Sequence, residues 1–339
     1  MNPIKFFFGE RYHPVLLGLS VAVSWTWAPA LILSTDIAAN SGFLGVLSFI
    51  VPNIMTLILF SYIGNRISPW ELFSFGSTAI SLIYEMVELF CIIIQATACG
   101  NILAVLFGVP YSIGVILFVL ASVAVSMNGF HSSVLSSVYV KIIGTIIPLV
   151  LLVHTILNTT LESTSIEIGT FSLQKTLLFS AILWSGPIMT NQHWLKYDRK
   201  GHKWAALFFG IPLISLTAIG LLSGIKGEYT SLRIFTGVWG YMFGVLVLTN
   251  LSSTVQSAFS SLSTLSIVNR ELNVGRARVR QIVLAVVGMS ITLMNAPILI
   301  LWQMMGIVRF VIALIVLWRY YVAYRKGCIP NSLPITTNG

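Results

Sequence analysis

Three stretches of this sequence carry residues able to do chemistry. Residues 24–36, SWTWAPALILSTD, set Trp25, Trp27, Pro29 and Asp36 in an otherwise apolar run. Residues 183–187, LWSGP, repeat the order tryptophan, small residues, proline, from Trp184 to Pro187. Residues 250–272, NLSSTVQSAFSSLSTLSIVNREL, hold nine Ser or Thr residues. Proline removes a backbone donor and clashes with the preceding turn, so a helix that contains it frees carbonyls. Freed carbonyls and adjacent hydroxyls are hard oxygen ligands that can hold a cation. Plainer readings stand beside this one. Proline in a membrane helix often only kinks it, and Ser or Thr hydroxyls bond to the preceding turn or ease close helix packing.

A fourth group is acidic. Glu85 and Glu88 stand three apart in LIYEMVELF, on one face if the segment is helical. Acids inside a membrane are functional candidates by default. Gln95, two turns beyond Glu88, can face the same cavity. A salt bridge to Lys141 or Arg319, or a helix end lying in the interface, explains the pair equally well. Enzyme chemistry finds no support. His13, His131, His154, His193 and His202 are scattered, and neither H-E-x-x-H nor G-x-S-x-G occurs. The chain is not expected to be an enzyme.

The elements that must position these residues follow from composition. The 339 residues are 56% hydrophobic and 9% charged, where a soluble domain has roughly 25% charged residues. This composition predicts an all-α integral membrane protein. A spanning helix needs about 20 apolar residues, and ten candidates are read: 14–39, 43–63, 76–107, 111–127, 132–157, 171–192, 204–225, 234–269, 277–301 and 303–324. Continuous apolar runs exclude a barrel. The segment 234–269 would measure about 54 Å as a helix, against a hydrocarbon core of about 30 Å, so it must tilt or project into the cytoplasm.

Loop charge orients the chain. With the N-terminus inside, thirteen Lys and Arg residues fall on inner segments and four on outer ones, Arg309 among the latter at an outer helix end. The positive-inside rule then puts both termini in the cytoplasm of a cell that holds the protein in its inner or plasma membrane. The formal charge of +9 is read as a topology signal, with no nucleic acid partner. No cleaved signal peptide is expected from MNPIKFFFGERYH, and Cys91, Cys99 and Cys328 form no disulfide framework. One transporter domain spans residues 1–339, with a first half over 14–157, an inverted second half over 171–324 and a disordered cytoplasmic tail over 327–339. Five helices per half require the inversion. Carriers of this kind bind their cargo where the first helix of each half is broken, which predicts breaks at Ala22–Pro29 and Trp184–Pro187.

Four stretches carry a resemblance. ERYHPVLLGLSVAVSWTWAPALILSTDIAANSG resembles the first core helix of the sodium:solute symporter family, and SWTWA is similar to its urea-permease branch. NGFHSSVLSSVYVKII resembles the segment opening the fifth core helix, TNQHWLKYDRKGHKWAALFFG the segment after the sixth, and SSTVQSAFSSLSTLSIVN the eighth. The resemblance implies a LeuT-type 5+5 inverted repeat and uptake of a small organic solute coupled to sodium. It implies a sodium site made of the carbonyls of Ala22, Trp25 and Asn250 with the hydroxyls of Ser253 and Thr254. Trp25, Trp27, Glu88, Gln95, Trp184 and Gln192 are the expected solute contacts, and Asp36 a gate or interfacial residue. The sequence also departs from the family. Ser137 and Val140 stand where it usually has Asp and Gln, and its flanking helices are missing. These departures keep two alternatives open: a proton-coupled or uncoupled nucleobase-type carrier, and a membrane receptor that lost transport.

Overall fold

The computed structural model describes residues 6–7, 12–64, 78–159, 167–184, 201–227, 230–251, 253–255, 273–295 and 298–327. Every regular element among them is an α-helix: α1 Pro14–Trp25, α2 Ala28–Gly64, α3 Thr78–Phe107, α4 Tyr111–Ser126, α5 Phe130–Asn158, α6 Leu173–Trp184, α7 Gly201–Ser223, α8 Thr230–Ile234, α9 Gly237–Leu248, α10 Val274–Thr292 and α11 Ile298–Arg325. Six spans are long and apolar enough to cross a membrane, from Ala28–Leu59 to Ile300–Arg325. Shorter apolar helices fill the remaining places, and α10 is shorter in apolar length because Arg276, Arg278 and Arg280 occupy its first two turns.

The first two predicted spans are recovered once the local backbone is read. α1 begins on His13, whose ring nitrogen accepts the Val15 N–H, with Pro14 in the first turn where its missing N–H costs nothing. The helix stops at Trp25. α2 starts at Ala28 with Pro29 in its first turn, which explains the proline of SWTWAP. α2 is itself two helices joined at Gly42, whose φ of 67° only glycine adopts readily. That corner receives the chain entering α6. The Glu167 carbonyl accepts from Phe43 N–H at 2.9 Å, and that of Ile168 from Leu44 N–H at 2.8 Å. A Cβ on Gly169, itself at φ +64°, would lie 2.0 Å from the Ser41 carbonyl oxygen. Gly169→Ala should therefore cost about 2–4 kcal/mol, measured as a lowered unfolding midpoint in detergent.

α7 lies at the centre, packed on α1, α2 and α5. The outer faces of α4, α5, α10 and α11 present Leu120, Val153, Leu157, Val283, Ile307 and Trp318 to the surroundings, as helices bathed in lipid do. Between the last two spans the structure corrects the predicted boundary. The chain turns at Leu293–Asn295, with Asn295 at φ 48°, and α11 starts by Ile298. Asparagine tolerates this left-handed turn better than most residues. The shift carries Arg309 inward from its expected place at an outer helix end to the middle of α11, where it is 2% exposed. It is therefore not a loop charge. The projecting end of the 234–269 segment and the break at Trp184–Pro187 lie outside the described residues beyond Val255 and Trp184.

Candidate functional site

The interruption of the first span builds the site. After Trp25 the chain leaves the helix through Thr26, at φ −82° and ψ 84°. Trp27 N–H then folds back on the Trp25 carbonyl at 3.0 Å, a three-residue turn. Ala22 and Val23 both accept from Thr26 N–H at 3.0 Å, and Ala22 also accepts the Thr26 hydroxyl at 2.7 Å. Ser24 loses its helical partner. Its carbonyl is taken instead by the Trp27 indole N–H at 2.6 Å and the Ser253 hydroxyl at 3.2 Å.

Gln95 of α3 closes this arrangement. Its amide nitrogen donates to Ser253 Oγ at 2.8 Å, and its amide oxygen accepts the Ala28 N–H, the first donor of α2, at 3.3 Å. One side chain thus ties the second part of the broken helix to the eighth span. Lys141 of α5 enters from another side. It is 1% exposed, and its Nζ donates to Thr26 Oγ1 at 2.7 Å. Ser137, one turn earlier on α5, is buried as well.

A cleft opens on the other side of the break. Trp25, Trp27, Ala30, Leu33, Phe49 and Asn53 line it from α1 and α2, Ile182 and Leu183 from α6, and Trp302, Met305 and Arg309 from α11. Its empty space, open mouth included, is ≈ 420 Å³. The Arg309 guanidinium carbon stands 5.5 Å from the centre of the Trp25 ring and 5.8 Å from that of Trp27. Both distances are in the range where a cation is drawn to an aromatic face.

This frame can be placed among known structures. No protein-family model matches the chain, and no curated protein matches it in sequence. Solved structures do. Mhp1, a nucleobase-cation-symport-1 family transporter caught in a closed conformation with bromovinylhydantoin, matches with a TM-score of 0.65 at 15% identity, over 96% of this chain and 81% of its own. A Na+-coupled sialic acid symporter matches at 0.59 and 13%, over 95% and 77%. The manganese transporter of Eremococcus coleocola matches at 0.57 and 14%, over 91% and 77%. The chain has the LeuT-type fold. The resemblance read in the sequence is thereby supported at the level of fold, and not at that of the sodium:solute symporter family or its urea-permease branch.

Within the LeuT-type frame the expected residues separate into groups. Trp25 and Trp27 line the cleft. Gln95, Asn250, Ser253 and Thr254 gather around the break and the eighth span, all buried. Asn250 O accepts both the N–H and the hydroxyl of Thr254, at 2.9 and 3.1 Å. Trp184 is 41% exposed and its indole donates to the Pro52 carbonyl at 3.3 Å, while its neighbours Ile182 and Leu183 face the cleft. Glu88 is fully buried in α3, outside the cleft lining, and Glu85 is half-buried within the electrostatic reach of Arg280 of α10. Gln192 lies outside the described residues. Asp36 has a defined place: its carboxylate accepts the Thr230 N–H at 2.7 Å, at the start of the short helix α8. Asn40 adds two bonds to Gly227 close by. Asp36→Ala should loosen this clamp, read as faster proteolysis at residues 224–227 at unchanged expression.

Arg309, Trp302 and Asn53 were not among the sequence-derived candidates. The available signal was a lone arginine inside an apolar run, LWQMMGIVRFVIALIVLW.

Proposed function

We propose that this protein is a secondary transporter that moves a small organic solute across a membrane by alternating access. The observation that supports this best is the first span, interrupted between two half-helices and opening onto a tryptophan-lined cleft. A membrane anchor or a purely structural bundle has no use for the interruption, since unsatisfied backbone in a bilayer costs several kcal/mol per group. The LeuT-type neighbours are transporters, which agrees with the reading.

The cleft chemistry narrows the solute. Arg309 brings a permanent positive charge and a planar donor fork into an aromatic wall. A solute with a flat apolar body and a carboxylate or similar anionic group matches both features. The sequence resemblance adds sodium as the coupling ion, on Ala22, Trp25, Asn250, Ser253 and Thr254. One observation favours the second reading, a carrier that does not use sodium here: the buried position 137 of the fifth span holds a serine where the resemblance leads one to expect an acid.

A solute-uptake screen in proteoliposomes, run with and without sodium, tests the proposal. Uptake of at least one solute above protein-free vesicles is the expected result, and uniform absence of uptake across organic anions, sugars, amino acids and nucleobases refutes it. Both termini are placed in the cytoplasm by the same proposal. A cysteine introduced at position 165 should react with an impermeant reagent added outside intact cells, and one at position 200 should not.

A further inference from the structure

The lysine at the break has a role that the transport reading leaves unassigned. Lys141 is fully buried, within an apolar helix, and among the described residues no carboxylate lies within ion-pair reach of it. Burying an ammonium without compensation costs several kcal/mol. Compensation is available in one place. α1 ends at the break, and the C-terminal end of a helix carries a partial negative charge from carbonyls that lack intrahelical partners. Lys141 Nζ donates to Thr26 Oγ1, at the cap residue of that end, and the same hydroxyl donates on to the Ala22 carbonyl. The ammonium therefore sits where the dipole of the broken helix most favours a cation. Interrupted membrane helices use this feature, the half-helix C-terminus with its unwound carbonyls, to hold mobile cations.

We infer that the Lys141 ammonium is the resident cation of the helix break, a tethered charge in place of a mobile metal ion, and that sodium does not bind there in the native chain. The sequence around it agrees. α1 contributes no ionisable side chain, and the fifth span carries Ser137 and Lys141 on one buried face without an acid. A charge fixed to α5 also links α5 to the break through a bond that cannot diffuse away. The position of α5 against α1 is then set by the protein itself, independent of ionic composition.

The inference rests on the proposed function only for its setting, and its test reads cation binding, not transport. Sodium-22 binding to purified full-length protein should be undetectable in wild type. Lys141→Ala removes the tethered charge and leaves room. This variant should bind sodium-22, and sodium should raise its unfolding midpoint by about 3 °C at ten times the dissociation constant, relative to choline at equal ionic strength. Wild type should show no such difference between the two salts. Sodium binding to wild type would overturn the inference while leaving the transport proposal intact. A Lys141→Ala protein indifferent to sodium overturns it as well, since the break would then be no cation site. Should Lys141→Ala fail to fold, Lys141→Ser, which supplies a hydroxyl, takes its place in the same assay with the same two outcomes. Absence of uptake in every vesicle experiment, with sodium-22 results as expected, refutes transport and upholds the tethered cation.

Discussion

Arg309→Met should weaken binding of aromatic carboxylates at least 30-fold and leave binding of their neutral amides unchanged. The guanidinium is almost wholly buried, beside two indole rings and at the wall of the cleft. Removing one partner of a buried, hydrogen-bonded charge pair costs about 2–5 kcal/mol, and about 2 kcal/mol is already a 30-fold change in dissociation constant. Methionine fills a similar volume and keeps the apolar contacts with Trp25 and Trp27, so the cleft should survive in shape. Arg309→Lys keeps the charge but loses the planar fork and the stacking, and should fall between the two. Calorimetric titration with benzoate and with benzamide, on all three proteins, separates charge from shape. Equal affinity of wild type for both probes, or an unchanged benzoate affinity in Arg309→Met, would refute the anionic reading of the solute.

The prediction turns on a residue that the sequence placed wrongly, and the reason is physical. Hydropathy locates apolar runs but is nearly blind to where two of them meet. Residues 277–324 read as two spans with a boundary near 302, because the stretch is too long for one span and hydropathy alone does not mark the turn. The chain actually turns at Leu293–Asn295, where an asparagine accepts the left-handed backbone and a proline follows at position 297. Turn chemistry outweighed hydropathy, and nine residues of drift moved an arginine from the interface into the cleft wall.

Other elements were legible because their signals are local. Gly42 ended the first span where the sequence put the boundary, since a positive φ between two apolar runs leaves few alternatives to glycine. Pro29 marks the break because it sits in the first turn of α2, where its missing N–H costs nothing, whereas Pro52, Pro148 and Pro212 lie inside helices and mark none. Trp25 and Trp27 are expected in the cleft from the resemblance carried by SWTWA, and both line it, whereas Trp184 does not. Partnerships across the bundle were not legible. Nothing in the sequence pairs Gln95 with Ala28 and Ser253, residues 67 and 158 positions away. Lys141 likewise reads as an anonymous charge in an apolar helix until α1 is broken beside it. The glutamate pair shows the same limit, for a spacing of three puts two residues on one face without telling what that face meets.

Gln95 gives the second large effect. Gln95→Leu should lower stability by about 1–3 kcal/mol, because it leaves one buried donor, the Ala28 N–H at the start of α2, without a partner. Ser253 Oγ loses the bond from Gln95 but keeps its own to the Ser24 carbonyl. Leucine is close in volume to glutamine, so little of the loss can be ascribed to a cavity. Gln95→Glu is the informative companion. A carboxylate keeps the acceptor for Ala28 N–H but cannot donate to Ser253, whose hydroxyl must then choose between the new carboxylate and the Ser24 carbonyl. Choosing the carboxylate releases Ser24 and slackens the turn at Trp25–Trp27. Its stability should therefore lie between those of Gln95→Leu and wild type, and its uptake should fall further than its stability explains if the break carries the proposed transport. Unfolding midpoints and initial uptake rates measured on the three proteins decide the matter. A Gln95→Leu protein within about 0.5 kcal/mol of wild type, the range of an ordinary surface substitution, would mean that the tie between the half-helix and the eighth span holds nothing together.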